Sequence, residues 1–144
     1  MRYLTVLCLA APLAACATLL ARQDSQAAML ANAIHTEAAT FFGVLGGKAA
    51  PDCGYGQNSQ AYDRLDALSG ELQARVGTTH ASPMLVEASR ALTQAIAHVR
   101  ESHRLASADL ADPAGPCLPP DAIMLNADAI ARASAAIATS QTPQ

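Results

Sequence analysis

His98 and Glu101 stand three residues apart, a spacing that sets a histidine and a carboxylate on one face of a helix. Di-iron helix bundles use glutamates together with paired Glu-x-x-His units. Here the order is reversed and the pair stands alone, so His98 is expected to be a solvated side chain on the polar face of its helix. His103 lies seven residues after Ile96, on the apolar side of the same segment. The expectation for it is a half-buried imidazole bonded to a loop carbonyl. His35 flanks an apolar stripe and His80 sits in a turn, and both are expected at the surface. Cys53 and Cys117 have no matching histidines for zinc, and the C-x-x-C-H pattern of covalent haem attachment is absent.

Nucleophile patterns are missing as well: the chain has no G-x-S-x-G and no Ser-x-x-Lys. Gly43, Gly46, Gly47, Gly54 and Gly56 make no phosphate loop, because no strand precedes them and no Gly-Lys-Ser/Thr follows. Asp63 and Asp66 share one helix face and are expected to be solvated charges. The expectation is therefore a protein that is not an enzyme and carries no cofactor and no metal.

One thiol does have a chemical setting. Met1 and Arg2 precede an uncharged run over residues 3–15 that ends in Leu13-Ala14-Ala15-Cys16. One positive charge, an apolar stretch and small residues before a cut make a secretory signal peptide. The last four positions resemble the lipobox of bacterial lipoproteins: an aliphatic residue, two small residues, then cysteine. The resemblance implies diacylglyceryl transfer to the Cys16 thiolate, cleavage before Cys16, and acylation of the new amino terminus by a fatty acid such as palmitate. Ala17 rather than Asp follows the cysteine, which in the Gram-negative pattern implies the outer membrane, facing the periplasm. Two alternatives stay open. Ala15-Cys16-Ala17 fits the A-x-A pattern of ordinary signal cleavage, and residues 3–21 form an uncharged run just long enough to span a bilayer. Pro12 inside that run disfavours a retained helix. All three readings put the body outside the cytoplasm.

Composition narrows the partners. Without Arg2, eight basic residues face twelve acidic ones, a side-chain balance of about −4 in a body of residues 16–144. A mildly acidic domain with one lysine, Lys48, is a poor ligand for nucleic acid. The chain has 34 alanines, no tryptophan and 3% aromatics. Alanine is the best helix former and buries little area, so this composition suits close-packed helices and disfavours a β-sandwich.

The cysteines follow from the address. Cys8 leaves with the signal and Cys16 takes the lipid, which leaves Cys53 and Cys117 to form a disulfide in an oxidising compartment.

Four helices must position these groups. After a signal peptide over residues 1–15, Cys16 and a tether over 16–23 lead into the domain; residues 17–23 reach at most roughly 23 Å. Helix one is expected over residues 24–45, capped by Asp24 or Ser25, with Leu30, Ile34, Ala38, Phe41 and Leu45 on one stripe. Helix two, over 58–76, is capped by Asn58 or Ser59 and buries Tyr62, Leu65, Ser69, Leu72 and Val76. Gly70 either permits close packing there or marks a break. Helix three, over 83–105, starts at Ser82-Pro83, a cap followed by proline in the first turn, and buries Leu85, Leu92, Ile96 and Val99. Helix four, over 120–138, buries Ile123, Ala127, Ile130 and Ile137. Residues 139–144 are a polar, frayed tail.

The expected fold is all-α: an antiparallel up-down four-helix bundle over residues 24–138, with one disulfide at the membrane-distal end. That topology puts the Cys53 and Cys117 loops at one end, together with Phe41, Phe42, Tyr55, Tyr62 and His103. These five residues either seal the end of the core or form a patch for a partner or ligand. The functional expectation is a cell-envelope lipoprotein, held to the membrane through Cys16, acting as a non-catalytic interaction or structural module on an envelope protein. The alternatives are a small-molecule or metal-binding bundle, or an inhibitor or immunity-type lipoprotein.

Overall fold

The computed structural model describes residues 10–78, 81–108 and 116–140, with side chains from residue 25 onward. Arg2 and the start of the apolar run, His80, Asp112-Pro113 and residues 141–144 lie outside the described residues. The described residues form four helices, α1 Ala10–Leu45, α2 Tyr55–Thr78, α3 Pro83–Ala108 and α4 Pro120–Thr139, and no strand.

α1 begins well before Asp24, so residues 16–23, expected as a tether, are helical and neither Asp24 nor Ser25 opens the helix. At 1.5 Å per residue, a helical run of that length reaches less than half as far as an extended one. None of the described helices is long and apolar enough to cross a membrane. α1 runs through Gly43 and ends at Leu45, where the Gly46 N–H bonds the Phe42 carbonyl at 3.0 Å. Its buried face is Ala27, Ala31, Ile34, Ala38, Phe41, Phe42 and Leu45, with Leu30 only half-buried.

α2 starts at Tyr55, three residues earlier than expected, and Asn58 lies inside it rather than capping it. Gly70 neither breaks α2 nor packs closely: a Cβ there would meet nothing within 4 Å. The buried stripe carries Tyr62, Leu65, Ser69, Leu72 and Val76, as the 3.6-residue period requires, and adds Asn58 and Ala61. At the start of α3 the Ser82 hydroxyl accepts the Leu85 N–H at 3.2 Å, the bond of a serine cap. α3 buries Leu85, Ser89, Leu92, Ile96, Val99 and His103. α4 follows Pro119-Pro120 with no side-chain cap and buries Ile123, Asn126, Ile130, Ser134 and Ile137, while Ala127 is half-buried.

Each helix touches two others: α1 with α2, α2 with α3, α3 with α4, and α4 with α1. Serines at the buried positions 69, 89 and 134 keep side-chain bulk low between helices. Ser69 and Ser89 bond back to the carbonyls of Asp66 and Val86, and Ser134 Oγ has no protein partner. Cys53 and Cys117 form a disulfide with their Cα atoms 5.1 Å apart, joining the α1–α2 loop to the segment before α4.

Candidate functional site

The disulfide joins residues 46–54 to residues 116–119, described segments that lie outside the helices, so side chains must hold them. The last two turns of α3 do most of this. His103 and Ser107 are four residues apart and therefore on one helical face. His103 Nε2 lies 2.8 Å from the Cys53 carbonyl oxygen, which can only accept, so Nε2 carries the proton. The other nitrogen, Nδ1, lies 3.0 Å from the Tyr62 hydroxyl and accepts its proton. Ser107 Oγ accepts the Tyr55 N–H at 2.7 Å and donates to the Pro116 carbonyl at 2.9 Å. One face of α3 thus grips the loop before α2 and the loop before α4, each carrying one half of the disulfide.

A second tie comes from α2. Asn58 is buried, and its amide nitrogen donates to the carbonyls of Asp52 and Gly54 at 2.9 and 2.7 Å. Its Oδ1 accepts from Lys48 Nζ at 2.7 Å. Gly54 lies close against both segments: a Cβ there would stand 3.2 Å from the Pro51 carbonyl and 3.5 Å from Pro116 Cβ. The Ala50–Pro51 peptide in this loop is cis.

The five residues of the expected patch do come together. Phe41 meets Tyr62 edge-on at 4.9 Å between centroids, and Tyr55 stacks on Tyr62 at 5.7 Å. His103 stands edge-on to both tyrosines, and Phe41 touches Phe42. Phe41, Phe42, Tyr62 and His103 are buried, and Tyr55 alone is half-buried. The cluster therefore closes the core, with little face left for a partner to touch directly. His103 is fully enclosed rather than half-buried, and the loop carbonyl it bonds belongs to a disulfide cysteine.

Burial sets the protonation of this pair. Desolvation pushes the His103 imidazole below its ordinary value, partly opposed by the Cys53 carbonyl, which favours a charged ring. Burial, with Tyr55 nearby, pushes the Tyr62 phenol well above its ordinary range. A neutral imidazole and a neutral phenol fit the two bonds as drawn.

Outside the core, Arg100 gathers three groups that the sequence scattered. Its Nε donates to the Tyr55 hydroxyl at 3.0 Å, one Nη bonds Asp66, and the other reaches Asp63 at 3.1 Å. Asp63 and Asp66 are thus cross-helix partners rather than merely solvated charges, and Asp66 is half-buried. The signal for Arg100 was weak, because pairing between helices depends on register. Ser107 was findable by its spacing from His103.

His35 and His98 are exposed, as their stripes required. Among the described residues no group of three or more His, Cys, Asp or Glu side chains converges as metal ligands would. The side chain of Cys16 lies outside the described side chains. Comparisons with protein-family models, with curated proteins and with solved structures found no match.

Proposed function

We propose that this chain is an outer-membrane lipoprotein, lipidated at Cys16, whose helices form an antiparallel up-down bundle that acts in the periplasm on an envelope protein, without catalysis. The anchoring rests on Leu13-Ala14-Ala15-Cys16 behind an apolar run. The topology is supported by side-chain pairings that run in opposite directions along neighbouring helices. Gln26 meets Arg75 while Glu37 meets Arg64, and Tyr62 meets His103 while Gln73 meets Ser89. In this topology the disulfide end lies away from the membrane.

The observation that carries the non-catalytic reading is the use of the polar groups at that end. His103, Ser107 and Asn58 spend their donors on loop carbonyls, and their acceptors are taken by the Tyr62 hydroxyl, the Tyr55 N–H and the Lys48 ammonium. The cluster interior is filled by packed rings, which leaves the interior ligand-binding alternative no space there. That end offers a partner Val44 and Leu105, in the last turns of α1 and α3, and Met124 and Leu125 near the start of α4, each more than half exposed.

Lipidation is tested by globomycin, which is expected to accumulate an uncleaved precursor, and by Cys16→Ser. Unchanged mobility and membrane retention in Cys16→Ser would sink the anchor. The working end is tested by a photocrosslinker at Leu105 compared with one at exposed Met29. One discrete envelope adduct from position 105 is the expected result. Adducts only from position 29 would place the interaction elsewhere.

A further inference from the structure

A cleft of about 320 Å3 opens between α1 and the first turns of α2. That volume is at the lower end of the range for small-molecule sites. Its apolar floor is Phe41, Val44 and Ala61, and the amides of Gln57 and Gln60 stand along it. Its charged residues are Lys48, Arg64 and Glu37.

The charges do not balance. Glu37 accepts from Arg64 Nε at 2.6 Å, which among the described residues is the one protein bond of that guanidinium, so its two Nη groups keep their donors. Lys48, half-buried in the cleft wall, donates to Asn58 Oδ1, a neutral acceptor. Every ion pair among the described residues uses an arginine, and none reaches Lys48. An ammonium has three donors, so two remain. The cleft therefore presents two cations and one already engaged carboxylate over an aromatic floor, with an excess of one positive charge.

We propose that this cleft binds a small organic monocarboxylate with an apolar arm, such as an acylated amino acid. Lys48 takes the carboxylate with its two remaining donors, the charge of Arg64 supports it from across the cleft, the glutamine amides take the ligand's amide, and the arm lies on Phe41 and Val44. A single negative charge matches the excess; a phosphate dianion would exceed it and meet the Glu37 carboxylate. The site does not depend on how the chain is anchored, and it shares Val44 with the surface offered to a protein partner.

The test is an NMR titration of the full 15N-labelled chain in detergent with N-acetyl-leucine, alongside N-acetyl-leucinamide, which has the same shape without the charge. For a ligand of this size the expected Kd is roughly 1 mM. Saturable shifts at Val44, Gln57, Gln60 and Arg64 from the acid, with none from the amide, are expected. Lys48→Gln is expected to weaken binding at least about tenfold. Arg64→Gln, at a side chain 59% exposed, provides a second variant whose fold is safe. Equal shifts from the two probes, no saturation well above the expected Kd, undiminished binding in both variants, or tighter binding of inorganic phosphate would each overturn the proposal.

Discussion

The Nε2–H of His103 donates to the backbone carbonyl of Cys53 across 50 residues of sequence, so one disulfide cysteine is held by its sulfur and by its carbonyl at once. The Tyr62 hydroxyl fixes the tautomer that makes this bond possible. The result is a chain of three elements, α2 to α3 to loop, in which the Tyr62 hydroxyl, both His103 nitrogens and the Cys53 carbonyl are paired with one another.

Tyr62→Phe removes one donor and leaves His103 Nδ1 unpaired in a site without solvent. The expected loss is about 1–2 kcal/mol in urea unfolding. His103→Ala leaves the Cys53 carbonyl and the Tyr62 hydroxyl unpaired and opens a cavity, with an expected loss of about 3 kcal/mol. The double variant is expected to lose less than the sum of the two, because both remove the same bond. Strict additivity would show that the bond contributes nothing.

Stability is expected to depend on pH through His103. Burial holds its folded pKa below the ordinary 6.5, so below that pH the unfolded chain takes up a proton that the folded chain does not. Unfolding free energy is therefore full above about pH 6.5 and falls as pH drops from there toward the lower folded value. Glu101, depressed by its bond to Arg104, acts only in the more acidic carboxylate range. His103→Gln is expected to flatten the profile between pH 6.5 and 5, as followed by thermal melts in a pH series. An unchanged slope would assign it to another group.

The disulfide closes a loop across a sequence separation of 64 residues. The chain-entropy argument gives it about 4 kcal/mol, less any native strain. Cys53→Ala is expected to lower Tm by many degrees and leave Cys117 alkylatable. A Cys117 that alkylates in native, unreduced protein would rule the bridge out.

Two glycines give opposite signs. Gly70→Ala adds a methyl in open space within an exposed helix position and is expected to stabilise by about 0.5–1 kcal/mol. Gly54→Ala presses a methyl against the Pro51 carbonyl and Pro116, and is expected to destabilise by about 1–3 kcal/mol. Chemical denaturation of the pair reads both signs.

The helices and much of their buried faces were legible because a 3.6-residue period acts on whole segments: Tyr62, Leu65, Ser69, Leu72 and Val76 fall on one line whatever they touch. Ala31 was not, since alanine carries little hydrophobic signal on either face. Asn58 stands near a helix start, where asparagine usually caps; the structure instead turns it inward, because two loop carbonyls need donors there. The ends of α2 and α3 were placed short for a related reason. Tyr55 and Ser107 look like loop residues in isolation, and they bond each other across 52 residues, with Tyr55 also bonded to Arg100, 45 residues away.

Because α4 packs against α1 as well as α3, the last of the four helices is a wall of the first. Ala38 of α1 and Ala127 of α4 line one shallow hollow along that seam. Until residues 120–139 arrive, the other three helices are an open trough. Cys53 also waits for a mate that emerges only just ahead of α4. Completion of the core and closure of the staple thus fall at the same moment of chain delivery. A truncation before Pro120 would leave a protease substrate instead of a smaller stable protein.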